Sequence, residues 1–334
     1  MEKVFGFAIL SFVITAILLV PFIDFLYKQN FKRQLQKTRD PLNRLTPEFD
    51  KMSKWKVGTP IGGGLLIIFV VTLLTLWAYG LFSVEVKFWE LFVLLFAFVG
   101  FGILGFYDDL KKTFRSKSTF FGLRFRQKFI IQWILALIIG VVLYFQLGYS
   151  FIYVHWFGQI TLGLVFIIFA AFIVVAFANA FNITDGLDGL SSGLFLISLI
   201  AFLVISHSML DSFLAIFIAI LIGSVLAFLY FNVFPARIWL GDVGSLSLGA
   251  VLAVIGLLTG KITAVGLIGG VFVIEVASSL IQILGKKYLG RKLLPIAPLH
   301  LYFQKKGWEE PKIVVRAWLL GILFALLGLY LAFL

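Results

Sequence analysis

The 334-residue chain has no cysteine and only three histidines, and just 13% of it is charged. Without cysteine, disulfides, thiolate metal centres and cysteine nucleophiles are excluded outright. So few charges on a chain that is 61% hydrophobic, with mean hydropathy +1.08, exclude an ordinary soluble globule, which could not hide that much apolar surface. Short alternating segments are also missing, so a membrane β-barrel is not expected. What remains is a polytopic all-α membrane protein, in which each span satisfies its own backbone polar groups.

Ten stretches approach the length of about 20 mostly apolar residues that a bilayer requires. They are 4–26, 60–79, 88–107, 129–147, 160–177, 190–206, 212–231, 246–258, 263–284 and 314–334. The N-terminal run has no convincing cleavage site and reads as a retained span. No repeat or low-complexity tract interrupts the chain, so residues 1–334 are expected to form a single transmembrane domain.

The net charge of +12 is distributed by loop. Residues 27–58, 107–128 and 285–316 hold 9, 7 and 8 Lys or Arg, residues 178–189 none and residues 232–245 one, which accounts for 25 of the 28. Positive loops stay in the cytoplasm. The odd-numbered loops are therefore expected inside and both termini outside. In this setting topology and anionic lipid headgroups explain the basic excess better than nucleic acid does.

Acidic residues are rare, and three motifs fall on that same side. Asp108-Asp109 ends the third span. Adjacent helical residues face different ways, so the two carboxylates are expected to have different jobs, and a solvated pair with Lys111 and Lys112 is the plain alternative. The block Asn179 to Leu190 contains Asp185-Gly186-Leu187-Asp188-Gly189. Its two aspartates share a helical face, its glycines permit close backbone approach, and Asn179 and Asn182 can read a polar ligand. Asp242 stands between Gly241 and Gly244, with Ser245 at a candidate helix start. Carboxylates converging beside lipid suit Mg²⁺, which usually arrives with phosphate, so phosphoryl chemistry at a membrane surface is expected.

Basic partners for that chemistry are Lys54, Lys56, Lys112, Lys117, Arg124, Arg126 and Lys128, with Lys56 and Lys112 preferred. His155 and His207 fall in outer loops, and His300 alone lies inside, where it can meet phosphate or move a proton. Glu275, within the ninth span, needs a partner.

Together these motifs resemble the polyprenyl-phosphate N-acetylhexosamine-1-phosphate transferases, and within them the phospho-N-acetylmuramoyl-pentapeptide-transferase (MraY, translocase I) family. The resemblance rests on Gly58-Thr59-Pro60, Asp108-Asp109, Arg126-Gln127-Lys128, the Asn179–Leu190 and Asn232–Gly249 blocks, Gly307-Trp308 and Val314-Val315-Arg316-x-Trp318. The family's three consecutive histidines are His300-Leu301-Tyr302 here, and Ile61-Gly62 stands where the family usually has Thr-Met. The resemblance implies transfer of phospho-MurNAc-pentapeptide from UDP-MurNAc-pentapeptide to undecaprenyl phosphate, giving lipid I and UMP. It also implies Mg²⁺ dependence, ten spans, a homodimer and a bacterial inner membrane. A sister enzyme using UDP-GlcNAc or another UDP-HexNAc, and a transporter, are the alternatives. Asp242, with Asp108 and Asp109, is expected at the metal. Asp108, Asp109, Asp242 and His300 form the expected catalytic set. Lys56, Thr59, Lys112, Lys128, Asn179, Asn182, Asp185, Asp188, Asn232 and Ser245 form the expected substrate-binding set. Direct attack by the lipid phosphate and a route through an aspartyl phospho-sugar both stay open.

Overall fold

The computed structural model describes residues 2–34, 45–52, 54–82, 88–114, 125–154, 157–209 and 212–334. Lys117, Arg124 and His155 lie outside the described residues. Nine described helices are long and apolar enough to cross a membrane: α1 (Glu2–Lys28), α3 (Gly63–Phe82), α4 (Phe88–Phe114), α5 (Phe125–Phe145), α6 (Val165–Thr184), α7 (Leu190–Ser208), α8 (Ser212–Asn232), α9 (Gly241–Leu258) and α13 (Glu310–Phe333). Between them lie the short helices α2 (Pro47–Met52) and α12 (Leu299–Lys305), and an antiparallel hairpin of β1 (Phe151–Val154) with β2 (Gly158–Thr161).

The stretch expected as the ninth span, 263–284, is formed by two helices, α10 (Ile262–Ile268) and α11 (Gly270–Tyr288), bent by 76°. The break coincides with two close approaches. A Cβ on Gly269 would stand 2.4 Å from the Phe177 ring, and one on Gly270 2.9 Å from Phe324. Two further spans differ from expectation. The fifth starts at Val165 rather than near 160, because Gly158–Thr161 pairs as β2. The eighth is longer than its apolar run, because its first turn carries Gly241, Asp242 and Gly244.

Helices α8 and α9 form the centre, and α1 and α13 face outward. With lipid outside, helices associate through close van der Waals contact and buried hydrogen bonds rather than by expelling water. The α1–α8 seam shows both. Gly223 lets the α1 backbone pass where a Cβ would meet Ala8 O at 2.1 Å, while Ser11 Oγ donates to Ile220 O at 2.7 Å and Thr15 Oγ1 to Ser224 Oγ at 3.0 Å.

The ends of α1, α4, α6, α8 and α11 lie at one end of the bundle, where the described parts of the connections after α1 and α8 meet. These two are stitched through backbone: Trp239 N–H donates to Pro60 O at 2.9 Å, Gly63 N–H to Trp239 O at 2.8 Å and Gly64 N–H to Leu240 O at 3.0 Å. Gly64 and Gly244 permit this approach, since a Cβ on Gly64 would lie 2.2 Å from Gly244 Cα.

Candidate functional site

The three acidic motifs converge at this end. Asp108, near the end of α4, and Asp242, in the first turn of α9, face the same two lysines. Lys112 Nζ lies 3.0 Å from Asp108 Oδ2 and 2.8 Å from Asp242 Oδ2, and Lys128 Nζ lies 3.1 Å from Asp108 Oδ2 and also bonds Asp242 Oδ2. Local periodicity explains part of this. Lys112 follows Asp108 by four residues on one helix face, and Lys128 opens α5 alongside. Gly105 allows α4 to pass the start of α9, because a Cβ there would meet Asp242 O at 2.1 Å.

Asp109 points elsewhere, as adjacency on a helix requires. Its Oδ2 accepts the Val243 N–H at 3.0 Å, so it caps the first turn of α9 from another helix and steadies Asp242. Asn182 completes the cluster, donating to Asp242 Oδ1 at 3.2 Å and to Ser245 Oγ at 2.7 Å. Asn179, one turn earlier, instead donates to Gln132 Oε1 and Val175 O, both at 2.8 Å.

A second cluster surrounds Lys56, whose Nζ lies 2.9 Å from Asp188 Oδ1 and 2.6 Å from Glu310 Oε1 and sits 4.7 Å above the Trp239 ring. Asp188 Oδ2 also accepts the Ala236 N–H at 2.9 Å. Asn232 ties the same loops together, accepting from Ser192 Oγ at 2.6 Å and Gly189 N–H at 3.2 Å and donating to Ile238 O at 3.0 Å.

Asp185 lies in the turn between these clusters and accepts Ser191 Oγ at 2.6 Å. Burial, reinforced by the nearby Asp242 and Asp188 charges, pushes its carboxyl up to about 7, against the pull of Ser191 and Lys56. His300 backs the turn: a Cβ on Gly186 would meet His300 Nε2 at 2.4 Å. Its other ring nitrogen, Nδ1, is 3.1 Å from Glu275 Oε2, and Glu275 Oε1 accepts the His300 backbone N–H at 3.2 Å. Glu275 thus has its partner.

Of the expected residues, Thr59 contributes backbone, its C=O accepting the Arg33 N–H at 2.9 Å. Lys54 and Arg126 are exposed, and His207 lies near the far end of α7. Glu310, Gln132, Ser191 and Trp239 were not singled out from sequence. Glu310 had a usable signal, an acid directly before Pro311 at the start of an apolar run. The others are marked only by their partners.

Among the described residues no three His, Asp or Glu side chains gather as a metal cage. Two carboxylates, Asp108 and Asp242, instead stand together, each facing the ammonium groups of Lys112 and Lys128. That donor set fits Mg²⁺, which is typically held by one or two carboxylates and completes its shell with water and substrate phosphate.

Residues 91–260 match the glycosyl transferase family 4 model. The chain is 38% identical over 323 residues to a phospho-N-acetylmuramoyl-pentapeptide-transferase of Geobacillus thermodenitrificans, covering 96% of this chain and 95% of the relative. It is 39% identical to one from Rickettsia akari, covering 90% and 86%, and 36% identical to one from Bacillus pumilus, covering 99% and 98%.

Proposed function

Because the chain belongs to the phospho-N-acetylmuramoyl-pentapeptide-transferase family, we propose that it transfers phospho-MurNAc-pentapeptide from UDP-MurNAc-pentapeptide to undecaprenyl phosphate, releasing UMP and giving lipid I for peptidoglycan synthesis. It is a multi-pass protein of a bacterial inner membrane. The observation that carries the reading is the meeting of Asp108, Asp242, Lys112 and Lys128 at one end of the bundle, beside the Asp185–Gly189 turn. A transporter would instead be expected to place such charges near the midplane.

In this reading a lipid-phosphate oxygen attacks the sugar-proximal phosphorus, one P–O bond forms, and the P–O bond to UMP breaks. Both reactants are anionic, so the protein's work is positioning and charge stabilisation. Lys112 and Lys128 hold phosphate oxygens. Asp108 orients the attacking phosphate and Asp109 keeps Asp242 in place. The turn from Asp185 to Asp188, with Asn182, receives the nucleotide-sugar, and Lys56 and His300 support it. Asp242 and Asp108 would hold Mg²⁺, which when bound supplies charge neutralisation of the diphosphate and stabilisation of leaving UMP. The reading includes cytoplasmic placement of this end, termini on the outer side, and a homodimer, which the mass of the purified protein in detergent would check.

The direct test supplies purified protein and Mg²⁺ with undecaprenyl phosphate and either UDP-MurNAc-pentapeptide or UDP-GlcNAc. UMP release with the first donor is expected. Product from UDP-GlcNAc alone would overturn the choice of sugar.

A further inference from the structure

Glu310 belongs to none of the acidic motifs and lies outside residues 91–260, yet its carboxylate is built into the Lys56 cluster. Its Oε1 accepts from Lys56 Nζ at 2.6 Å and from the Asp188 backbone N–H at 2.6 Å. Lys56, Asp188 and Glu310 are only 2%, 3% and 5% exposed. An ammonium has three protons to direct, and here Asp188 Oδ1, Gly186 O at 3.3 Å and Glu310 Oε1 are the acceptors. Two of these belong to the Asp185–Gly189 turn, and the third comes from the last span.

The same helix grips the turn a second time. Trp318, eight residues after Glu310 and on a similar face, donates its Nε1–H to Gly189 O at 3.2 Å. Helix α13 therefore holds the backbone of both Asp188 and Gly189. Glu310 also couples that hold to charge. Without it the buried Lys56 loses its shortest ion pair, and the Asp188 N–H loses its acceptor.

We infer that Glu310 is a positioning residue for the nucleotide-sugar, acting through Lys56 to fix the Asp185–Gly189 turn. The inference rests on the proposed function, in which that turn receives the donor substrate.

The test is a double-mutant cycle on the purified full-length protein with Glu310→Gln, Lys56→Met and the pair together. Two quantities are read: the Kd for UDP-MurNAc-pentapeptide without lipid acceptor, and the KM for undecaprenyl phosphate. Glu310→Gln should weaken donor binding about tenfold, the worth of one charge-assisted hydrogen bond, with the lipid KM within about twofold. In the Lys56→Met background the Glu310→Gln loss should be smaller than in wild type, because only the bond to the Asp188 N–H is then left for Glu310 to make. Wild-type donor affinity in Glu310→Gln, additive losses in the pair, or equal losses for both substrates would overturn the inference, the last being the mark of a general structural role. If Glu310→Gln does not fold, Glu310→Asp, which keeps the charge and shortens its reach, takes its place, and wild-type donor affinity in Glu310→Asp would then overturn the inference. A wild type that binds donor but releases no UMP would sink the transferase reading, and the Kd comparison would still judge Glu310.

Discussion

Asp242 is the carboxylate on which the cluster closes, since Lys112, Lys128 and Asn182 all reach it. Asp242→Asn keeps the shape and the bond to Asn182 but removes the charge that pairs two lysines and holds a divalent ion in the proposed reaction. Transfer should fall by about a hundredfold or more while the variant still inserts and folds, as read by UMP release and by gel-filtration profile. Turnover like wild type would remove Asp242 from the site. Asp185 offers a pH test. Its carboxyl is raised by burial to about 7 from an ordinary 3.8, so the folded state favours the protonated form. That contribution to stability is complete below about 3.8 and is lost as pH rises to about 7. Between pH 5 and 8 wild type should lose roughly 2–3 kcal/mol more than Asp185→Asn, which cannot ionise there, as followed by Tm in detergent. Parallel Tm curves would contradict the assignment. The sequence made the aspartates legible because an acid in an apolar chain has few reasons to be there. Ser191 and Gln132 were not legible in this way, and for Glu310 the acid before Pro311 was visible but its partners were not. Their roles come from partners brought close only by packing, as with Glu310 and Lys56, 254 residues apart.

At the scale of elements, the spans were legible because lipid imposes both length and apolarity on them. The bend between α10 and α11 was not, because the apolar run continues through it, and the close approaches of Phe177 and Phe324 to Gly269 and Gly270 come from other helices. The β hairpin was hidden similarly, since Phe151 to Thr161 is as apolar as a span end. The seam of α4 on α9 brings Asp108 and Asp242 together. Gly105→Ala would drive a Cβ to 2.1 Å from Asp242 O, against backbone that cannot swing aside. A cost of about 1–3 kcal/mol in stability is expected, with a fall in transfer beyond the loss of folded protein. Gly80→Ala in α3 is the matched control, since nothing stands within 4 Å of a Cβ there. Equal behaviour of the two variants in Tm and turnover would mean that the α4–α9 approach does not position the site.

At the scale of the molecule, all the proposed chemistry sits at one end, and orientation decides which compartment it serves. Lys56, Lys111, Lys112, Arg126, Lys128, Lys305 and Lys306 lie at that end, whereas Lys261 lies toward the other. Each positive charge in a short loop resists translocation, so the proposed reading predicts this end in the cytoplasm. The absence of native cysteine makes this testable with single thiols. Lys305, at the end of α12 and paired on the surface with Glu48 at 2.9 Å, reports the site end, and Met209, just past α7, reports the other. In intact spheroplasts a membrane-impermeant maleimide should label Met209→Cys and leave Lys305→Cys unmodified until the cells are lysed. The reverse pattern would put the aspartates outside, and labelling of both before lysis would mean that the two ends do not lie across the bilayer from one another. The position of the site makes the expected result physically coherent. A charged nucleotide-sugar can then approach Asp242 through water, while an acceptor anchored in the bilayer needs only to bring its phosphate to the helix ends, and neither reactant has to carry its charge through the hydrocarbon.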